Sequence, residues 1–184
     1  MTNHAQTLAL FTIGHSTRPL DEFIHILQAH GVTRLVDVRT VPRSRHNPQF
    51  NQDTLPEALE AAGIAYTAMK GLGGWRRAQP DSPNAGWHSP AFRGYADYMQ
   101  TPEFETHLEA LIELAAKDTV AIMCAEAVPF RCHRSLISDA LTVRGVQVEH
   151  ISSATHAAPH KLTPFARVRG TRITYPPAQL ELGA

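Results

Sequence analysis

The chain has 184 residues with 17 Lys+Arg against 17 Asp+Glu, so its formal charge is zero with histidine neutral. That excludes a globally basic nucleic-acid coat or a membrane-surface protein, both of which need a summed field of one sign. A hydrophobic fraction of 43% against 18% charged excludes an intrinsically disordered chain.

Leu8 to Ile13 is an apolar run of strand length ending at Gly14. Between Pro19 and His30, Leu20, Phe23, Ile24 and Leu27 recur at helical spacing, with proline suited to the first turn and Gly31 to the stop. Leu35 to Val38 reads as a buried strand, and Asp53 opens a helix carrying Leu55, Ala58, Leu59 and Ala62, ended by Gly63. Ile64 to Met69 follows as a third strand. Lys70 to Arg93 has no period and is rich in Gly, Pro, Trp and Arg; a loop of this length inside a compact domain is often functional. Helical spacing resumes with Tyr95, Tyr98 and Met99, and again after Pro102. Val120 to Met123 is a fourth strand, Arg131 to Arg144 a helix, and Val146 to Ile151 a fifth strand. The tail from His160 to Pro177 carries a short hairpin pattern.

Alternating strands and helices imply right-handed crossovers. The expected architecture is a single three-layer α/β domain over 1–184, with a mostly parallel central sheet of about five strands and helices on both faces. Its core spans about 8–151, and 152–184 form a C-terminal extension. No stretch approaches roughly 18 uninterrupted apolar residues, so no membrane partner is expected. Two cysteines behind an N-terminus that lacks a basic, apolar leader point to reduced thiols in a cytoplasm.

Doubly wound sheets bind ligands beyond the carboxyl ends of their strands, and the reactive residue types fall there. His15 and Ser16 follow the first strand; Asp37, Arg39 and Arg45 follow the second; Cys124, Glu126, Arg131, His133 and Arg134 follow the fourth. Helix N–H groups and guanidinium charge would favour a Cys124 thiolate, either as a nucleophile or as a polar pocket member. His15, Glu126 or His133 would transfer protons. Arginine forks match phosphate and carboxylate oxygens, so Arg39, Arg45, Arg131 and Arg134, with Ser16 and Asp37, are the candidate ligand-binding set. Asp37, at a buried strand end, requires a partner such as Arg39 or Arg45. Cys132 reads as a packed residue, with a reversible Cys124–Cys132 disulfide as the alternative. No C-x2-C pair and no H-E-x-x-H occurs, so no metal or cofactor is assigned.

Five stretches carry a family resemblance: TIGHST (12–17), LVDVRTVPRSRHNPQFN (35–51), GIAYTAMKGLGG (63–74), YADYM with TPEF (95–104) and VAIMCAEAVPFRCHRSLI (120–137). Together they resemble the domain of unknown function 488 family across about residues 11–151. The resemblance implies a compact α/β domain and the motif positions, and names no reaction.

The functional expectation is an enzyme of hydrolase or transferase type acting on a small anionic, phosphate-bearing or nucleotide-like ligand. Two other readings belong to different classes. One is a nucleic-acid-binding module using the Arg39–His46 and Arg76/Arg77 loops with Trp75 or Trp87 stacking on bases; the other is a thiol-based redox sensor.

Overall fold

A computed structural model describes residues 7–178. The first strand, β1 (Ala9–Gly14), leads to α1 (Leu20–Ala29), β2 (Arg34–Asp37), α2 (Leu55–Ala61) and β3 (Ala65–Ala68). After an irregular stretch come α3 (Pro90–Tyr98), α4 (Pro102–Lys117), β4 (Val120–Cys124), α5 (Arg134–Thr142) and β5 (Gln147–Ser153). The chain then adds β6 (His156–Pro159) and a separate ribbon of β7 (Arg167–Arg169) and β8 (Arg172–Thr174).

The helix boundaries have local causes. Thr101 caps α4 by accepting from the Phe104 N–H, directly before Pro102. Gly31 and Gly63 follow α1 and α2 with φ of 70° and 78°, a region where a side chain is strained. The helix expected from Arg131 begins only at Arg134, because Pro129–Arg131 makes its own 3-10 turn and Cys132 is extended.

The six-stranded sheet has the order β3-β2-β4-β1-β5-β6, parallel except for the antiparallel β6 edge. Successive connections move one way from β1 to β3 and the other way from β4 to β5, so the winding reverses between β1 and β4. Their carboxyl ends lie side by side, with Gly14 in register with Cys124.

Strand alternation divides the core into two layers. Ile13, Leu35, Ala121, Met123 and Ile151 face Phe23, Leu27, Leu55 and Leu59 of α1 and α2. Leu10, Val36, Ile122, Cys124 and Val148 face α3, α4 and α5. The C-terminal extension contributes to the second layer, where Ile173 and Tyr175 are buried. Among the described residues no helix is long and apolar enough to cross a membrane.

Candidate functional site

The main chain welds the carboxyl ends of β1 and β4 together. The His15 N–H donates to the Cys124 carbonyl and the Ser16 N–H to the Ala125 carbonyl, each at 2.9 Å. Ser16 adopts φ 51°, a left-handed conformation costly for a non-glycine residue. Gly14 lies so close to the Glu126 carbonyl that a Cβ would collide with it.

Two adjoining hollows open above this junction, of about 340 and 280 Å3, with Arg39, Val41, Ala125 and Glu126 common to both. The larger is lined by Cys124, Cys132, His133, Arg131 and Trp75, the smaller by His15, Ser16, Arg43 and Asn47. They differ because alternation sends the side chains of the two strand ends to opposite faces of the sheet.

On the α1/α2 face, Asp37 is 1% exposed and fully occupied. Its carboxylate takes Arg39 Nε at 2.8 Å, Arg39 Nη2 at 2.7 Å and the Tyr66 hydroxyl at 2.6 Å. The expected Asp37–Arg39 pair is therefore present, and burial with the Asp37 bond raises the Tyr66 pKa. Arg39 also donates to the Phe50 carbonyl and, at 3.3 Å, to His15 Nε2. Arginine has no acceptor, so His15 Nε2 is the accepting nitrogen and Nδ1–H donates to the Ser16 carbonyl at 2.8 Å. Stacked on Phe50 and desolvated, His15 has its pKa lowered to about 4. It is a neutral, fully bonded imidazole.

On the α5 face the two sulfurs meet, Cys132 Sγ lying 2.7 Å from Cys124 Sγ. Both thiols are free and buried, yet both line the larger hollow. A disulfide would need an approach to roughly 2.05 Å, so only a small movement separates the contact from a bond. His133 Nε2 donates to the Val38 carbonyl at 3.0 Å, which leaves Nδ1 facing Cys132 Sγ at 3.5 Å, able to accept from its thiol or, carrying a proton, to donate to its thiolate. Gly74 packs against the His133 ring, where a Cβ would come within 2.7 Å of Nδ1.

The two thiols titrate as a unit. The hydrogen bond from Cys124, then His133 and the Arg134 backbone N–H, outweigh desolvation and lower the Cys132 pKa to about 4. Burial, and the second negative charge that its own ionisation would place beside Cys132, push Cys124 well above the ordinary thiol range. The negative charge of the pair is therefore favoured on Cys132 and the remaining proton on Cys124.

Arg134 is completely buried and does not line either hollow. Its guanidinium donates to the Glu126 carbonyl at 2.7 Å, the Ala127 carbonyl at 3.3 Å and Thr12 Oγ1 at 3.0 Å. Glu126 is exposed, and its carboxylate accepts from the Val128 N–H at 3.0 Å. Arg131 is exposed at the wall of the larger hollow, whereas Arg45 is exposed outside both. The structure thus gathers Cys124, Cys132, His133 and Arg131 on one side and His15, Ser16, Asp37 and Arg39 on the other. Among the described residues, no group of three His, Cys, Asp or Glu side chains gathers as a metal site.

The residues behind Arg134 carry no motif, and sequence reasoning missed them. Thr12 Oγ1 lies 2.6 Å from His150 Nδ1, His150 Nε2 lies 2.8 Å from His160 Nδ1, and His160 Nε2 lies 2.7 Å from Asp139 Oδ1. Buried Asp139 also takes the Thr163 and Tyr175 hydroxyls. The available signal was parity, since Thr12, Cys124, Val148 and His150 occupy the same face as the α5 layer.

Rim exposure adds a further feature. Trp75 is 76% exposed, Phe130 70% and Val41 49%; Val41 and Trp75 line the larger hollow and Phe130 adjoins Arg131. A family model described as a domain of unknown function, DUF488, matches residues 19–141. No curated protein and no solved structure matches the chain.

Proposed function

For a chain that belongs to the DUF488 family, we propose an enzyme whose dithiol, Cys124 and Cys132, carries out two-electron exchange on a small anionic substrate in the larger hollow. The observation that carries this reading is the 2.7 Å contact between two sulfurs that share a cavity wall. The hydrolase or transferase chemistry expected from the sequence placed a single nucleophile at Cys124, whereas burial pushes that thiol up and the readily ionised sulfur is Cys132, beside His133. A second thiol in contact with the first favours dithiol exchange over acyl or phosphoryl transfer.

In this scheme the Cys132 thiolate attacks one sulfur of a substrate disulfide, forming a mixed disulfide as the departing thiolate takes a proton from solvent. The Cys124 proton then passes to His133 or solvent, and Cys124 attacks Cys132 Sγ. The Cys124–Cys132 bond forms and the second substrate thiolate leaves. The substrate gains two electrons and the protein loses two; an external dithiol restores the starting state. Arg131, at the wall of the hollow, and Arg39, already balanced by Asp37, supply guanidinium edges for a carboxylate or phosphate on the substrate. Trp75 offers an apolar face at the mouth.

Oxidised glutathione, a small disulfide rich in carboxylates, is the probe. Reduced protein should release two equivalents of glutathione and acquire a Cys124–Cys132 bond by peptide mass mapping. Cys124→Ser should stop at a glutathione adduct on Cys132, and Arg131→Glu should slow the reaction with oxidised glutathione more than that with cationic cystamine. Random adducts on both cysteines without an intramolecular bond would overturn the reading.

A further inference from the structure

Arg134 poses an electrostatic problem that its immediate neighbours do not solve. Its guanidinium is buried, and it contacts only neutral oxygens: two loop carbonyls and a hydroxyl. A buried cation without a counter-charge is costly. The anion that answers it is Asp139, reached through Thr12, His150 and His160.

The donor and acceptor roles along this path are fixed by its ends. Arginine only donates, so Thr12 Oγ1 accepts from Arg134 and spends its own proton on His150 Nδ1. His150 then carries its proton on Nε2 and donates to His160 Nδ1, and His160 donates from Nε2 to the Asp139 carboxylate, which only accepts. All four links point the same way, from cation to anion. Desolvation, the neighbouring His160 and Arg134 lower the His150 pKa to about 4, in keeping with a neutral ring. Tyr175 and Thr163 meet the remaining lone pairs of Asp139 but stand outside the chain of links.

The path reaches the thiols through one residue. The Arg134 backbone N–H faces Cys132, and its guanidinium charge opposes the rise in the Cys124 pKa. The same guanidinium grips the Glu126 carbonyl, which lies 3.6 Å from Cys124 Sγ. Resting on the dithiol reading above, we propose that Thr12, His150, His160 and Asp139 are positioning residues for the thiol site. They hold Arg134 aimed at the loop that follows Cys124, so that His160, from the C-terminal extension, bears on the reactivity of a cysteine pair it does not touch.

The test measures iodoacetamide labelling of Cys132 at pH 6 in the reduced full chain, alongside thermal unfolding. Thr12→Val removes both the acceptor for Arg134 and the donor to His150, and should slow labelling about tenfold by loosening the sulfur contact and raising the Cys132 pKa. Thr12→Ser should restore wild-type labelling. Asp139→Asn, which keeps shape and removes the terminal charge, should slow it as well, and covers the case in which Thr12→Val does not fold. Tyr175→Phe takes a hydrogen bond from Asp139 outside the path, so it should lower Tm while leaving labelling unchanged. Wild-type labelling in Thr12→Val or Asp139→Asn, or loss of labelling in all variants in proportion to Tm, would overturn this inference. Failure of the dithiol reading is separately visible, as a wild-type protein whose Cys132 does not label at pH 6.

Discussion

Burial opposes the charged forms of both His15 and Cys132, with opposite outcomes. His15 accepts at Nε2 from a guanidinium and donates from Nδ1 to a carbonyl, so a second ring proton would meet Arg39 head on. Its pKa falls to about 4 against an ordinary value of 6.5. An unfolded chain takes up that proton as pH drops below 6.5, and the folded chain does not. Stability is therefore complete above about pH 6.5 and is lost as pH falls toward 4, at up to about 1.4 kcal/mol per pH unit for this one histidine. His150, lowered to about 4 as well, adds a contribution of the same sign. Thermal unfolding between pH 7 and 4.5 should show a steep fall in Tm for the wild-type protein and a shallower one for His15→Gln; parallel curves would refute the assignment. Cys132 is the reverse case, in which neighbouring donors outweigh desolvation and keep the charged form. The clustering of reactive types at one rim was legible in the sequence, yet Cys132 read as packing. Its contact with Cys124 depends on how the 3-10 turn at Pro129–Arg131 folds the chain back, a geometry that residue spacing alone does not specify.

Strand ends and the loops that follow them decide which residues meet. Helical spacing and glycine stops made α1, α2 and α4 legible, because each buries one face and ends where the chain needs positive φ or a cap. The β7–β8 hairpin was legible from its turn residues, while β6 was not: its residues His156–Pro159 carry little strand signal and pair through the antiparallel edge. Alternation was readable along β4, where Val120, Ile122 and Cys124 share a face, and along β2, where Leu35 and Asp37 share the other. Those two parities bear on Asp37 and Cys124 and leave His15, beyond the end of β1, undecided. The contact of β1 with the loop after β4 needs the three-dimensional register of Gly14 with Cys124. Gly14→Ala should collide with the Glu126 carbonyl and cost about 1–3 kcal/mol of stability, as overpacking does. It should also slow formation of the Cys124–Cys132 bond, because the displaced loop joins Cys124 to Cys132. Urea unfolding and the oxidation rate check both, and an unchanged oxidation rate would show that the loop geometry does not govern the thiols.

Across the whole molecule, neutrality conceals a division of labour between the faces of the sheet. One face closes a carboxylate, a guanidinium, a phenol and an imidazole into a saturated network under the smaller hollow. The other leaves two sulfurs and an imidazole in the wall of the larger hollow, with a buried arginine behind them answered, through side chains of β1 and β5, by an aspartate on its own helix. The zero charge read from composition excluded a global polyelectrolyte partner and was silent about both arrangements, since each depends on side chains distant in sequence. The winding order places the dithiol at the reversal point, where doubly wound sheets present their ligand crevices. The dithiol is tested most directly by the pH dependence of iodoacetamide alkylation in the fully reduced wild-type protein, resolved by cysteine. Cys132 should be alkylated first and be half-maximally reactive already below pH 6, with Cys124 unreactive through pH 9. Equal reaction of both cysteines, rising together near the ordinary thiol value of about 8.5, would contradict it.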